Sequence, residues 1–466
     1  MSTIRTSLSA KRMAKALTRV HVAQLEVAEH YKGDSGARQP VHTVYGGAHL
    51  FTSDTARKLG ELAVRAFDTY ASDPKAFAEV LGIKPDLAAT VHERVRAKLA
   101  REAVEDFRID FEDGYGNRPD EEEDAAAAAA GKAVAAGLAA GTLPPFIGIR
   151  IKPLSRELAP RSIRTLDIFV SELVGASDGQ LPPNFVITLP KITSRSDVQT
   201  LVWVLERLES SLDLEPGALK LEIMVETTHC LIDPEGRIML PRLLDDAQGR
   251  MVGAHFGTYD YTAGCDITAA HQRMGHPACD FAKHLMKVSF AQTGIALSDG
   301  ATNIMPVGPH KGTLTDEQKR ENTAAVHAAW RLHASDVRHS LINGFYQGWD
   351  LHPAQLATRY GAVYGFFLEG LAAASQRLKN FVDKAAQATL VGDVFDDAAT
   401  GQGLLNYFLR GISCGAVTEE EALATGLSLE EIRGRSFVKI LEGRRKQAAA
   451  AEAGTSTGAS ATATAS

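Results

Sequence analysis

Two carboxylates stand at the ends of otherwise apolar runs. Glu226 closes Leu221-Glu-Ile-Met-Val-Glu226, and Asp260 closes His255-Phe-Gly-Thr-Tyr-Asp260. A carboxylate pair with room for water is the donor set that Mg²⁺ prefers, and Mn²⁺ accepts the same hard oxygens. Read singly, each residue also fits a helix cap or a loop ion pair; taken together, they point to a metal. Arg150 lies upstream, with Asp110, Glu112 and Asp113 before it. The arginine fork keeps its charge and matches a carboxylate or an enolate oxygen. It suits a buried ion pair with Asp110 or Glu112 equally well. The three acids would in turn orient Arg150 and hold metal-bound water. His352, just before Pro353, either binds a substrate carboxylate or sits as a satisfied core histidine.

These residues need elements to position them. Strand patterns occur at 41–45, 107–112, 146–151, 185–189, 221–225, 251–256, 301–305 and 345–351. Helical patterns follow at 54–70, 121–139, 163–173, 196–209, 280–293 and 316–343. Strand–helix alternation implies a parallel sheet, and eight strands imply an α/β fold of the closed (β/α)8 TIM-barrel type. Period-2 alternation then assigns faces. Arg108, Asp110 and Glu112 oppose Phe107, Ile109 and Phe111, while Gly148, Arg150 and Lys152 oppose Ile147, Ile149 and Ile151. In the eighth strand Tyr346, Gly348, Asp350 and His352 share a face. Apolar faces belong against the outer helices, so the charged faces are expected to point into the barrel. Glu226 and Asp260 then stand at the C-terminal mouth, where catalytic groups collect.

The balance of 50 Lys plus Arg against 57 Asp plus Glu, net −7, argues against a nucleic-acid binder. Hydrophobic residues at 45% and charged residues at 23% exclude wholesale disorder. Cys230, Cys265, Cys279 and Cys414 form no CxxC pair, which fits reduced thiols in a cytoplasmic protein. The basic, amphipathic N-terminus lacks the apolar core of a secretory signal. The Ala-rich run 125–140 contains Lys132 and follows an acidic cluster, so it reads as a solvated helix and no membrane span is expected. No GxGxxG follows a strand and no GxxxxGK[ST] occurs. Four regions are expected: an N-terminal helix (1–36), a barrel with insertions (37–365), a C-terminal helical region (366–446) and a disordered tail rich in Ala, Ser, Thr and Gly (447–466).

Seven short motifs fall in one order: Asp110-Phe-Glu-Asp113, Ile149-Arg-Ile-Lys-Pro153, Leu189-Pro-Lys-Ile192, Val225-Glu226, Phe256-Gly-Thr-Tyr-Asp260, Asp299-Gly300 and Leu351-His-Pro-Ala-Gln355. The series resembles the citrate lyase β-subunit and malyl-CoA lyase superfamily, which includes the HpcH/HpaI aldolases. The resemblance covers residues 40 to 360. It implies a (β/α)8 barrel binding Mg²⁺ through Glu226 and Asp260, with Arg150 on a 2-oxo acid or its enolate. It implies carbon–carbon bond cleavage or formation beside a carboxylate, in a small acid or its CoA thioester, and assembly as a homo-oligomer. On this reading Glu112 and Asp113 serve catalysis with Arg150, while Asp110, Lys191 and His352 serve substrate binding. The base is Asp396 or His49.

The chain departs from the superfamily pattern at Tyr45-Gly-Gly-Ala-His49 and in long insertions after the first strand, after Glu226 and after Asp260. Insertions on the mouth side are expected to roof the site, which would suit a small free acid. Two alternatives share the fold. One is a phosphoenolpyruvate- or pyruvate-processing barrel with phosphoryl transfer, for which His310-Lys311 is the only phosphate loop on offer. The other is a barrel that binds a metabolite without turnover.

Overall fold

Short β-branched runs, each followed by a helix that buries one apolar face, form a ring in the computed structural model. It describes residues 7–33, 36–387, 398–444 and 446. Eight parallel strands close in sequence order: β1 (His42–Gly47), β2 (Asp106–Asp110), β3 (Phe146–Arg150), β4 (Phe185–Leu189), β5 (Lys220–Val225), β6 (Met251–Phe256), β7 (Ala296–Ala301) and β8 (Gln347–Asp350). Closure is made by β8 against β1, with Thr43 opposite Trp349. Helix α1 (Ala10–His30) precedes the ring. Between β1 and β2 lie α2 (Thr55–Tyr70), α3 (Pro74–Leu81) and α4 (Ala88–Glu102). Single helices follow β2, β3 and β4: α5 (Asp120–Ala140), α6 (Ala159–Ala176) and α7 (Arg195–Ser211). Next come α8 (Thr228–Leu231) and α9 (Leu240–Asp246) after β5, α10 (Thr258–Gly264) and α11 (Pro277–Ser289) after β6, and α12 (Asp316–Ile342) after β7. Helices α13 (Gln355–Gln387), α14 (Ala398–Ser413), α15 (Glu419–Leu423) and α16 (Leu429–Arg433) follow β8.

Local chemistry sets several of these boundaries. Ser194 and Asp197 form a capping box at the start of α7, as Thr315 and Gln318 do at α12. Helix α5 opens on Asp120, Glu121, Glu122 and Glu123, which complement its N-terminal dipole. It stops at Gly141, whose φ of 65° is the left-handed cap that glycine adopts without strain.

Phe107, Ile109, Ile147 and Ile149 face the helices and are buried. The interior is polar, where barrels of this type usually pack Val, Ile and Leu. Arg108 on β2 reaches across the ring to β5, pairing both Glu222 oxygens at 2.8 Å, and also pairs with Asp106. Thr188 donates to Glu222 at 2.5 Å, Thr43 donates to Asp106 at 2.8 Å, and Gln347 donates to Thr43 at 2.9 Å. His255 Nε2 stands 3.2 Å from Glu222. Each buried charge therefore has a partner, as burial requires.

Two sequence expectations are corrected. The seventh strand is Ala296–Ala301 and not 301–305, its polar centre Ser298-Asp299-Gly300 having disguised it. Asp299 tolerates burial because Lys283 stands 3.1 Å away and Ser340 donates at 2.6 Å. The eighth strand is turned over. Gln347 and Trp349 face the interior, whereas Asp350 points outward, 2.9 Å from Arg359 on α13 and 3.1 Å from His333 on α12. Pairing with two helix cations made the outward face the cheaper place for that carboxylate.

The insertion after β1 does not roof the barrel. Helices α2, α3 and α4 pack on one another and on α12 and α13. Phe77 meets Trp330 edge-on at 5.8 Å, and Tyr360 donates to the carbonyl of Ala103 at 3.0 Å. The C-terminal helices dock by the same face: Arg94 on α4 pairs with Glu421 on α15 at 2.6 Å. Among the described residues, no helix is long and apolar enough to cross a membrane. Positions 447–466, expected to be a disordered tail, lie outside the described residues.

Candidate active site

Strands β2 and β3 end side by side, with Asp110 opposite Arg150. Asp110 accepts Arg150 Nε at 2.8 Å and Nη2 at 2.5 Å, and is itself fixed by the backbone N–H groups of Glu112 (2.9 Å) and Gly114 (2.8 Å). That leaves Nη1 of Arg150 turned to Glu112 at 2.9 Å and Asp113 at 3.7 Å. Tyr45 and Trp349 put their rings 4.9 and 5.8 Å from the guanidinium. Burial opposes charge on Arg150, but Asp110 and Glu112 outweigh it and raise its pKa.

Lys191 follows β4 with a left-handed φ of 48°. That backbone turn lets one residue serve two acids. Its N–H donates to Glu226 Oε1 at 2.8 Å, while its ammonium pairs with Glu112 and stands 3.6 Å from Asp113 and 3.5 Å from Asp260. Those carboxylates outweigh burial and raise its pKa.

Glu226 is buried at the end of β5, and its neighbour Gly257 explains the Phe-Gly step of the sixth motif. A Cβ at position 257 would lie 2.5 Å from Glu226 Oε2. Burial first, then Glu112, with a smaller contribution from Asp260, pushes Glu226 up to about 8 against the pull of Lys191 and Arg150. Burial also raises Glu112, whose Oε2 makes no hydrogen bond despite its closeness to Arg150. Asp260 sits in the first turn of α10 and is 44% exposed.

The structure thus brings Asp110, Glu112, Asp113, Arg150, Lys191, Glu226 and Asp260 together at the C-terminal rim. His352 is half-buried beyond β8, where its Nδ1 accepts the N–H of Ala354 at 3.1 Å; burial lowers its pKa. Gln355 accepts the N–H of Leu351 at 2.7 Å and donates to Thr302 at 3.0 Å, so the His-Pro-Ala-Gln segment clasps β8 to β7. His49 is exposed after β1, edge-on to Tyr115 at 5.6 Å. Asp396 lies outside the described residues.

Sequence reading passed over the support beneath Arg150. Trp349 donates its indole N–H to His255 Nδ1 at 3.3 Å, and His255 meets Glu222 through its other nitrogen. The signal was present in the β5 and β6 alternation, which puts Glu222 on the face of Glu226 and His255 on the face of Gly253.

The donor set was tested against a hard divalent cation. Among the described residues no group of three or more His, Cys, Asp or Glu side chains is placed to hold a metal. Mg²⁺ commonly takes only one or two protein carboxylates, with water and substrate completing the octahedron. Glu226 and Asp260 are oxygen donors on one rim. The upward shift of Glu226 and the unbonded Glu112 oxygen mark crowded negative charge that a cation would offset. The residues fit the group.

Beside this rim a cleft of about 320 Å³ is lined by Glu112, Asp113, Asn117, Lys152, Pro153 and Lys191.

A family model described as "Domain of unknown function (DUF6986)" matches residues 20–440. No curated protein matches the chain. Similar solved structures include a citrate lyase from Burkholderia xenovorans LB400, 19% identical, covering 72% of this chain and 92% of that one, TM-score 0.49. Another is a Haloferax volcanii malate synthase in a lead(II) complex, 12% identical, covering 87% and 97%, TM-score 0.45. A third is an HpcH/HpaI aldolase/citrate lyase family protein from Burkholderia cenocepacia J2315, 13% identical, covering 73% and 95%, TM-score 0.36. Citrate lyase and HpcH/HpaI aldolase are the names that the ordered motifs also suggest.

Proposed function

We propose that this chain, which belongs to the DUF6986 family, is a divalent-metal-dependent carbon–carbon lyase or aldolase acting on a small 2-oxo or hydroxy acid, free or as its CoA thioester. The observation that carries the reading is the rim itself: a fixed guanidinium, an ammonium and two candidate metal carboxylates converge beside a cleft of small-acid size. The ordered motifs support the same reaction class.

Glu226 and Asp260 would hold Mg²⁺ or Mn²⁺. When bound, the cation supplies Lewis-acid polarisation of the substrate's oxygens. Asp110 commits two nitrogens of Arg150 and so aims the third, Nη1, at the mouth. There it can take a substrate carboxylate or the enolate oxygen on which charge develops as the bond beyond C3 breaks. Such preorganised donors contribute several kcal/mol because they need no reorientation during the reaction. Lys191 holds Glu112 and Asp113 in place and keeps cationic charge beside the cleft. Glu112 and Asp113 restrain Arg150 from the solvent side. The proton acceptor is His49 or Asp396, the two bases that the sequence nominates.

The test is a screen of 2-oxo acids, 3-hydroxy acids and their CoA thioesters with added Mg²⁺, read by mass spectrometry. Cleavage or condensation products that vanish with chelator are the expected result. Phosphate release from phosphoenolpyruvate without any carbon–carbon product would overturn the reading.

A further inference from the structure

Helix α1 has 21 residues and none is buried. Only its C-terminal end touches the barrel. Gly33 donates to the Gln292 carbonyl at 2.7 Å, and His30 stands 4.0 Å from Asp245. Both contacts fall on loops that lead into β6 and β7, on the face opposite the candidate site. Isolated helices of this length are marginal in water, and most helical stability comes from packing an apolar face.

Such a face exists. Met13, Leu17, Val20, Val27 and Tyr31 are all exposed, at 44, 60, 52, 56 and 46%. Together with Gln24 they recur at spacings of four and three, the 3.5-residue seam of a coiled coil. Ala14, Ala16, Ala23 and Ala28 flank the seam, and small flanks let two helices approach closely.

Charge along the helix names the occupant. Lys11, Arg12, Lys15 and Arg19 fill the first half, while Glu26 and Glu29 fill the second. A parallel pair would set the basic halves against each other. An antiparallel pair with Val20 level with Gln24 of the other copy brings Leu17 level with Val27 and Met13 level with Tyr31. It also brings Lys15 level with Glu29, and Arg19 within one residue of Glu26. The same helix is a poor fit to an anionic membrane, because two acids share its polar side and no Trp or Phe anchors its apolar side.

We infer that α1 is a homodimerisation element, pairing antiparallel with α1 of a second copy of this chain through the Met13, Leu17, Val20, Gln24, Val27 and Tyr31 seam. The arrangement is two-fold and self-complementary, so it closes at a dimer. It stands apart from the proposed chemistry and does not depend on it.

The experiment is sedimentation velocity on the full chain at micromolar concentrations, alone and with phosphatidylserine vesicles. The parent is expected to sediment at twice the chain mass. The double variant Leu17→Asp with Val20→Asp is expected to sediment at the chain mass with its melting temperature unchanged, since both positions are exposed. Lys15→Glu and Glu29→Lys should each weaken the dimer, and the two combined should restore it. A monomeric parent, a dimer indifferent to the double variant, or vesicle binding by a monomeric parent would each overturn the inference.

Discussion

Arg150 and Glu226 do different work within one rim, and substitution should separate them. Glu226→Gln removes an anionic ligand and should weaken Mg²⁺ binding at least about tenfold. Arg150→Lys keeps the charge but loses the planar fork, so it should leave Mg²⁺ affinity intact while depressing kcat. Calorimetry reads the first and steady-state kinetics the second; equal effects of both variants on both quantities would contradict the assignment. The acids and cations of this rim were legible because each ends or follows a strand whose alternation is plain. Lys191 was legible as a motif member only. Its bridging role depends on a left-handed backbone at a non-glycine residue, which no propensity announces. The ties of Arg150 to Tyr45 and Trp349 join β3 to β1 and β8, so only closure of the ring reveals them.

At the scale of elements, seven strands were visible within a few residues of their true ends. The seventh was displaced because a strand carrying Ser298, Asp299 and Gly300 looks like a turn until Lys283 and Ser340 are seen beneath it. The eighth was placed correctly but turned over. Period 2 says which residues share a face and not which face looks inward; that choice fell to Arg359 and His333 on helices far along the chain. Strand packing makes one position sharply testable. A Cβ at Gly148 would stand 2.1 Å from the carbonyl oxygen of Val186, a backbone atom that cannot swing aside. Gly148→Ala should therefore cost about 1–3 kcal/mol, read as a lower urea midpoint with unchanged slope.

For the whole molecule, the seam between the first and last strands carries a pH signature. His42 accepts the N–H of Glu105 at 3.1 Å and faces Asp350 at 3.6 Å, among Glu105, Arg359 and Lys98. Burial lowers its pKa to about 4, aided by Arg359 and Lys98 and only partly opposed by Asp350 and Glu105. The unfolded chain then binds a proton that the folded chain refuses. Stability from this group is full above pH 6.5 and is lost as pH falls toward 4, by about 3 kcal/mol in all. Denaturant titrations at neutral pH and near pH 4.5 should show the parent losing stability more steeply than His42→Gln. A parallel loss in both would remove His42 as the cause. The closed ring itself was legible from strand count and order. The placing of α2 to α4 against α12 and α13 was not, because their apolar faces say that they bury but not on which neighbours.

The salt-linked interior of the barrel also constrains how this sequence can drift. Neutralising Arg108 alone would strand Asp106 and Glu222, and neutralising either acid alone would strand part of Arg108, at about 3–5 kcal/mol each. Replacing all three by apolar residues of matching volume could be nearly neutral. Every one-step mutational path out of this interior therefore crosses a deep fitness valley, while the far side lies level. The network behaves as an epistatic ratchet: once assembled, it persists in descendants whether or not its charges still serve the chemistry at the mouth.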